Sequence, residues 1–252
     1  MGFISTKTGQ FTYFAQQLGE SNWRGKNVLD FGGNVGNILR EPDSTIDHER
    51  YWCIDVVPES IEKGKVEFPD AHWVFYDRHC FYFNPFGVRD LALPSLDQTF
   101  DYIVAYSVFT NTPRADMLQL VEQLENTLAP GGAFAFTFID PHYHSWPDLY
   151  PSNNLVWRLQ REIFLEGNKG NTLDIDVPAL AERAKDASWF VLVNGEDLYL
   201  ETEDVPEYEP EQQRTYHTFY TVDYMRSLFP QATIMPPAND EMQHCCVIKK
   251  AN

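Results

Sequence analysis

Short apolar runs alternate with amphipathic segments along the first half of the chain. The run at residues 27–32 stops at a glycine, and the run at residues 51–55 ends in an acid. Runs of this length, bounded by turn-forming or charged residues, predict buried strands. Further strands are predicted at residues 71–76, 100–106 and 132–139. Helices are predicted at residues 34–40, from Pro58 onwards, and at residues 115–128, where apolar side chains recur at helical spacing.

The order of these elements predicts an α/β fold. Strands that alternate with helices form parallel sheets with right-handed crossovers, and ligands bind at the carboxyl ends of their strands. Near the end of the chain, residues 221–229 predict a helix, and residues 232–235 and 245–249 predict the two strands of a hairpin. We therefore expect a doubly wound, seven-stranded sheet that is mostly parallel and closes with an antiparallel C-terminal hairpin.

Three segments follow from this pattern. Residues 1–140 are expected to form the core, and residues 216–252 to complete its sheet with the helix and hairpin. Residues 141–215 interrupt the alternation with polar stretches and are interpreted as an inserted cap, with a helix around residues 155–164. The acid-rich part of the cap, residues 196–211, is interpreted as a solvated loop. The alternative is that its charge steers a cationic substrate.

The charge balance bears on the class of partner. The chain has 37 acidic and 19 basic residues, a formal charge of −18. Nucleic-acid binding rests mainly on Lys and Arg that neutralise phosphates, so a nucleic-acid partner is not expected. Aromatic residues make up 15% of the chain. They can fill the core or line a pocket for an aromatic substrate.

The cysteines and the apolar runs bear on location. No run approaches the ~20 apolar residues of a membrane span, and the first residues lack a basic region followed by an apolar stretch. The cysteines show no paired metal-ligand spacing and are interpreted as reduced core residues. We expect a cytoplasmic protein that binds neither membrane nor metal. These cysteines are Cys53, Cys80, Cys245 and Cys246.

Four motifs carry the functional interpretation. They are Val-Leu-Asp-Phe-Gly-Gly-Asn-Val-Gly at residues 28–36, Cys-Ile-Asp at 53–55, Phe-Asp-Tyr-Ile-Val-Ala at 100–105 and Leu-Ala-Pro-Gly-Gly-Ala-Phe at 128–134. Glycines after a strand let the backbone approach a ligand closely. In order and spacing, the motifs resemble the class I S-adenosylmethionine-dependent methyltransferases over residues 27–139. The resemblance implies a Rossmann-like core and S-adenosylmethionine as cofactor.

The first motif ends a strand with an acid, which would repel a pyrophosphate but could accept hydrogen bonds from an ammonium group. By the resemblance, Asp30 would bind the methionine ammonium of the cofactor. Gly32 and Gly36 match the outer glycines of the family pattern, with Gly33 between them. Asn34 replaces the middle glycine, and Asn is among the residues that best tolerate a left-handed backbone.

The resemblance also assigns residues after the later strands. Asp55 would bind both ribose hydroxyls, with Val56 beside it; its alternative role is a helix cap near Pro58. The other assigned residues are Asp77 with Arg78 beside it, at the adenine, and Tyr106 with Ser107, flanking the reacting methyl group.

Two histidines follow the fifth predicted strand, in the run Asp-Pro-His-Tyr-His-Ser-Trp at residues 140–146. His142 and His144 are too close in sequence for a helical metal pair, and no third ligand accompanies them. Either could be a general base for the acceptor, because neutral imidazole titrates near working pH. We favour His144. The alternative is a structural or exposed histidine, with Tyr106 and the cap positioning the acceptor.

The sequence therefore predicts methyl transfer from S-adenosylmethionine to the oxygen, nitrogen or activated carbon of a small molecule, as in natural-product biosynthesis. Two alternatives from other classes stay open. One is a nicotinamide-dependent oxidoreductase, which the strand-end acid and the C-terminal hairpin disfavour. The other is a catalytically silent subunit that binds S-adenosylmethionine. The oligomeric state is not predicted.

Overall fold

A computed structural model of the chain describes residues 9–143, 155–156, 159, 175–206, 215–238 and 243–252. Its main sheet has the strand order β3-β2-β1-β4-β5-β10-β9. The first five of these run parallel, and β10 is antiparallel to both of its neighbours. The predicted seven-stranded sheet with its antiparallel hairpin is confirmed. Its strands are β1 (Val28–Phe31), β2 (Tyr51–Asp55), β3 (His72–Phe75), β4 (Phe100–Ala105), β5 (Leu128–Phe138), β9 (Thr233–Met235) and β10 (His244–Lys249).

Helices cover both faces of this sheet. The predicted helices at residue 58 and at residues 115–128 and 221–229 are confirmed, although the second ends earlier because Leu128 already pairs with Phe100 at the start of β5. The helices are α1 (Gln10–Leu18), α2 (Pro58–Glu67), α3 (Arg114–Asn126), α4 (Val177–Ala184) and α5 (Val222–Leu228), with short 3-10 turns at His48–Arg50 and Phe109–Asn111. Apolar residues of α3 and α5 pack on one face, and those of α1 and α2 on the other.

The helix predicted at residues 34–40 is wrong. The chain forms consecutive turns there, with hydrogen bonds from Gly36 N to Gly33 O (2.9 Å) and from Leu39 N to Gly36 O (3.0 Å). Asn34 has a φ of 54° and Gly36 a φ of 77°. A right-handed helix requires negative φ at every residue, so two left-handed residues in this short stretch prevent one.

A second, three-stranded antiparallel sheet has the order β7-β6-β8. Its strands are β6 (Trp189–Val193), β7 (Asp197–Leu200) and β8 (Tyr216–Tyr220). Asn194 and Gly195, with φ of 53° and 73°, turn the chain between β6 and β7. Asn-Gly with positive φ at both positions is the preferred two-residue hairpin turn.

This small sheet changes the interpretation of the acid-rich segment. Asp197–Leu200 is a paired strand in which Leu198 is buried, so the solvated loop predicted there is wrong over these residues. Residues 207–211 lie outside the described part. The small sheet also includes Tyr216–Tyr220, beyond the end of the predicted cap at residue 215. It is joined to the core by a hydrogen bond from Tyr220 N to Ile139 O (2.9 Å).

Candidate functional site

A cavity of about 300 Å³ lies at the carboxyl ends of the central strands β1, β2 and β4. This is the edge of a doubly wound sheet at which ligands bind. Its apolar lining includes Phe31, Ile54 and Leu120. Seven of the residues predicted for the cofactor line the cavity: Gly32, Asn34, Asp55, Val56, Arg78, Tyr106 and Ser107.

Asp55 ends β2 and ties two elements of the cavity wall together. Its Oδ2 accepts a hydrogen bond from Asn34 N and its Oδ1 from Val57 N, each at 2.8 Å. Val57 is the N-cap residue of α2, so Asp55 stabilises the start of that helix while it faces the cavity. Burial raises the pKa of Asp55 to about 6, although hydrogen bonds from the backbone N–H groups of Val57, Asn34 and Val56 lower it. Each carboxylate oxygen still has a lone pair for a ligand.

Asp30 is buried below the cavity rather than in its wall. Its Oδ2 accepts a hydrogen bond from the Tyr51 hydroxyl at 2.7 Å. Gly33 closes over it: a Cβ built on Gly33 would lie 2.5 Å from Asp30 Oδ2. Burial raises the pKa of Asp30 to about 7, and the negative charge of Asp55 adds to the increase. Asp30, for which we predict a contact with a ligand ammonium, is therefore not among the residues that line this cavity.

The turn after β1 brings backbone to the cavity. Gly32 has a φ of 77°, and a Cβ built on it would lie 2.4 Å from Val108 Cγ2. Asn34 has the left-handed φ expected for the position where the family pattern has its middle glycine. Gly33 and Gly36 do not line the cavity. Gly36 packs on Trp73, whose ring would lie 2.9 Å from a Cβ built there.

After β3 come Asp77, which was expected to contact the adenine, and Arg78 beside it. In the structure Arg78 lines the cavity and Asp77 does not. Asp77 is exposed, accepts a hydrogen bond from Asn84 Nδ2 (3.1 Å) and does not line the cavity. Arg78 is 4% exposed and does line it. Its Nη2 donates to Asp116 Oδ1 and Gln119 Oε1, each at 2.9 Å, and its Nη1 to Leu91 O at 2.6 Å. Asp116 of α3 is thus a cavity carboxylate that the sequence analysis missed.

The residues after β4 form a stiff wall. Tyr106 is 8% exposed, and its ring packs edge-on against Tyr13 (5.7 Å) and Phe14 (6.1 Å) of α1. Ser107 has a φ of 57°, and its N–H donates to Thr137 Oγ1 at 2.8 Å. A non-glycine residue in this conformation is held there by its surroundings. Tyr106 is therefore a packed wall of the cavity.

The structure describes one of the two histidines predicted as bases. His142 is exposed in a turn in which its N–H donates to Asp140 Oδ1 (2.8 Å), and it does not line the cavity. His144 lies outside the described residues. His79, which the sequence analysis did not single out, does line the cavity, and burial lowers its pKa. A neutral imidazole at this position can accept a proton.

Two further wall residues carry polar groups that the sequence analysis also missed. Gln10 is the first residue of α1, and Asn37 lies in the turns after Gly36; each is at most 9% exposed. Glu41 holds α1 in place, because its Oε1 accepts a hydrogen bond from Phe11 N (2.8 Å) at the start of the helix. In the sequence, the position of Asn37 directly after Gly36 is the one signal that could have indicated it as a wall residue.

Within the described ranges, no group of three or more His, Cys, Asp or Glu side chains is arranged to hold a metal ion. Among the same residues, no helix has the length and apolar character needed to cross a membrane.

Comparisons with known proteins find similarity to methyltransferases. Residues 29–134 match the family model of a methyltransferase domain. No curated protein sequence matches the chain. Among solved structures, the glycopeptide N-methyltransferase MtfA complexed with (S)-adenosyl-L-homocysteine has a TM-score of 0.51 at 12% identity, with 98% of this chain and 91% of that chain covered.

Two other solved structures are similar at the level of the fold. An S-adenosylmethionine-dependent methyltransferase from Clostridium acetobutylicum ATCC 824 has a TM-score of 0.50 at 12% identity, with 96% of this chain and 91% of that chain covered. DesVI from Streptomyces venezuelae has a TM-score of 0.50 at 10% identity, with 97% and 91% covered. The chain therefore has the Rossmann-like fold of these methyltransferases.

Proposed function

We propose that this chain is a class I S-adenosylmethionine-dependent methyltransferase that methylates a small molecule at oxygen, nitrogen or an activated carbon. Its fold and the match of residues 29–134 to a methyltransferase domain support the proposal. The observation that carries the proposal is Asp55. Its buried carboxylate lies at the tip of β2 against the turn after β1, where it can bind the two hydroxyls of a ribose.

The donors and acceptors of the cavity fit S-adenosylmethionine in three parts. Asp55 would hold the ribose. Val56, Arg78 and Asp116 also line the cavity, and their apolar contact and carboxylate would suit adenine and its amino group. Asn34, in the turn after β1, lines the cavity next to Asp55, to which its N–H donates a hydrogen bond. The carboxylates of the wall also suit a sulfonium cation, because the one buried guanidinium among the described lining residues is paired with Asp116.

When bound, S-adenosylmethionine supplies a methyl group on a positively charged sulfur that an acceptor lone pair can attack. The task of the chain is mainly positioning. Tyr106 and Ser107 would form the wall beside the reacting group, and their packing and backbone strain keep that wall in place. Residues 141–215 would cover the acceptor as a cap.

A base is needed only where the acceptor must lose its proton before or during attack, as a hydroxyl does. His142 and His144 remain our proposed bases for that case. His79 is a second candidate, because it is the one histidine among the described residues that lines the cavity.

Nitrogen is the acceptor that we favour. MtfA is named as a glycopeptide N-methyltransferase, and its structure covers nearly the whole of this chain. The charge of −18 would attract a cationic or amine-bearing substrate and repel nucleic acid. A role in natural-product biosynthesis agrees with these points. All four cysteines are free thiols, which fits the cytoplasm as location.

Two assays test the proposal and separate it from its alternatives. Calorimetric titrations should show binding of S-adenosylhomocysteine and not of NAD; the reverse result would indicate an oxidoreductase. Transfer of a labelled methyl group should then be measured over a panel of small amines, phenols and alcohols. Binding without transfer to any acceptor would indicate the silent subunit, whereas transfer to amines alone would establish N-methylation.

A further inference from the structure

The amide group of Asn111 has a fixed orientation in the cavity wall. Asn111 ends the 3-10 turn that follows β4, and it lines the cavity. Its Nδ2 donates hydrogen bonds to Ser107 O at 2.9 Å and to Thr110 Oγ1 at 2.8 Å. A backbone carbonyl can only accept a hydrogen bond, so the contact with Ser107 O identifies the nitrogen end of the amide. The other end, Oδ1, is therefore an acceptor.

This acceptor is unused by the protein. Asn111 Oδ1 accepts no hydrogen bond from the residues that the structure describes. It is also not one of the fully buried polar atoms that lack a partner, so it keeps accessible surface. In this it differs from Oδ1 of Asn37, another wall residue, which is fully buried. An accessible amide oxygen on a residue that lines a cavity can accept a hydrogen bond from a ligand.

The turn that carries Asn111 is held in place before any ligand binds. Ser107 has a left-handed φ of 57°, and its N–H donates to Thr137 Oγ1 at 2.8 Å. Its carbonyl oxygen accepts from Thr110 Oγ1 at 3.0 Å as well as from Asn111. A side chain that is already oriented loses little conformational entropy when it binds a ligand.

The chemistry of an amide oxygen separates amines from hydroxyls as acceptors. A hydroxyl must give its single proton to a base, and an amide oxygen is not a base at neutral pH. A primary or secondary amine attacks through its lone pair and keeps its N–H, which an amide oxygen can bind. The carboxylates of Asp55 and Asp116 in the same wall also favour a ligand that is or becomes positively charged.

On the basis of the proposed function, we propose that Asn111 Oδ1 accepts a hydrogen bond from the N–H of a primary or secondary amine acceptor and thereby selects this class of substrate. As the nitrogen lone pair forms the N–C bond to the methyl group, the C–S bond breaks and the positive charge passes from sulfur to nitrogen. The new ammonium group then releases its proton to water. Its hydrogen bond to Asn111 strengthens as the charge develops, so it stabilises the transition state more than the bound amine.

Two ligands that differ only at the reacting centre test the assignment without a known acceptor. Sinefungin carries an amino group on the carbon that replaces the sulfur of S-adenosylhomocysteine. Asn111→Leu should bind sinefungin ~10-fold more weakly than the wild type, the usual effect of one lost hydrogen bond to a charged group, and S-adenosylhomocysteine within about twofold. Thr110→Val is the matched control, because it removes two hydrogen bonds of the same turn and leaves Asn111 Oδ1 in place. It should leave the ratio of the two affinities unchanged.

Methyl transfer gives a second readout. With a primary or secondary amine, Asn111→Leu should lower kcat/KM by ~10-fold. With a tertiary amine, which has no N–H, the variant should match the wild type. Asn111→Asp keeps an acceptor oxygen and adds negative charge, so its ratio of sinefungin affinity to S-adenosylhomocysteine affinity should be at least that of the wild type.

Several results would overturn the assignment. An equal loss for both ligands in Asn111→Leu would show that the residue only supports the turn, and unchanged binding of sinefungin would show that Oδ1 does not reach the reacting centre. A changed affinity ratio in Thr110→Val, or transfer by the wild type to hydroxyls alone, would also contradict it. If the wild type binds neither ligand, the proposed function itself is wrong.

Discussion

The hydroxyl of Tyr51 lies 2.7 Å from Oδ2 of Asp30, and both residues are buried beneath the turn that follows β1. Burial is what raises the pKa of Asp30, whereas the hydrogen bond from Tyr51 lowers it. With its pKa raised from 3.8 to about 7, Asp30 binds more protons in the folded state than in the unfolded state. The free energy of unfolding should therefore fall as pH rises from about 4 to about 7, and the penalty is fully present above pH 7.

We expect Asp30→Asn to remove this dependence. Relative to the wild type, the variant should gain stability between pH 4 and pH 8, with an upper limit on the order of 4 kcal/mol. Urea denaturation at several pH values measures the difference. Asp55 titrates in the same direction, so only the difference between wild type and variant isolates Asp30. Parallel curves would show that Asp30 is ionised throughout this range.

Asp55→Asn should weaken S-adenosylhomocysteine binding by ~1–3 kcal/mol, because a charged acceptor of ribose hydroxyls is lost. In the wild type, affinity should decline as pH falls through about 6, where Asp55 becomes protonated. Titration calorimetry from pH 5 to pH 8 measures both effects. Asp77→Asn is the matched control, since Asp77 is exposed outside the cavity. A control variant that loses as much affinity as Asp55→Asn would remove the ribose assignment.

Asp116 should distinguish adenine from hypoxanthine. Adenine donates hydrogen bonds from its amino group, whereas the corresponding oxygen of hypoxanthine would face the carboxylate. The wild type should prefer S-adenosylhomocysteine over S-inosylhomocysteine, and Asp116→Asn should reduce this preference by ~10-fold. Asn can still accept the hydrogen bond from Arg78, which protects the fold. An unchanged preference in competition binding would exclude Asp116 from adenine recognition.

Substitution of a catalytic histidine should lower turnover with hydroxyl acceptors far more than with amine acceptors. With a hydroxyl acceptor, substitution of the base should lower turnover by ~10²–10⁴-fold and leave cofactor affinity unchanged. With a free amine, the effect should be small. Turnover against pH for His79→Ala, His142→Ala and His144→Ala identifies the base, and His72→Ala on the outer strand is the control. Near-wild-type turnover in all three would favour positioning by the wall and cap alone.

Glu41→Ala should destabilise α1. Its carboxylate binds the amide groups of Phe11 and Thr12, at 2.8 and 3.3 Å, which are otherwise unsatisfied at a helix start. The loss should be ~1–2 kcal/mol, as for other N-caps. Hydrogen exchange should show reduced protection across Gln10–Leu18. Glu62→Ala, in an exposed pair with Lys65, should leave that protection unchanged.

The core sheet was predictable because each of its strands is a short apolar run with a polar or glycine boundary. Asp55 could be placed for the same reason, since the end of a parallel strand fixes a side chain at the ligand edge. The position of Asp30 was predicted, but its burial was not. Strand-end position does not show that the backbone of Gly33 covers the carboxylate or that Tyr51, from the next strand, binds it.

Other errors have local causes. The helix after β1 was predicted from polar and apolar spacing, although Asn34 and Gly36 are the residue types that adopt positive φ. The β6–β7 hairpin carried a direct signal, Asn194-Gly195 between apolar strands, that the surrounding acidic residues obscured. Asp116 could not be predicted as a wall residue, because only tertiary contact with Arg78 brings it to the cavity.

The hydrogen bond from Tyr220 N to Ile139 O means that the chain leaves the core and returns to it at neighbouring points. The two ends of residues 140–219, the segment that contains the cap predicted at residues 141–215, are thus adjacent. Exchange of such a cassette costs little chain entropy, because the ends need not be brought together anew. None of the described residues that line the cavity lies in this segment. If the segment covers the acceptor as we propose, its exchange between related proteins should change the acceptor preference and leave the cavity in place.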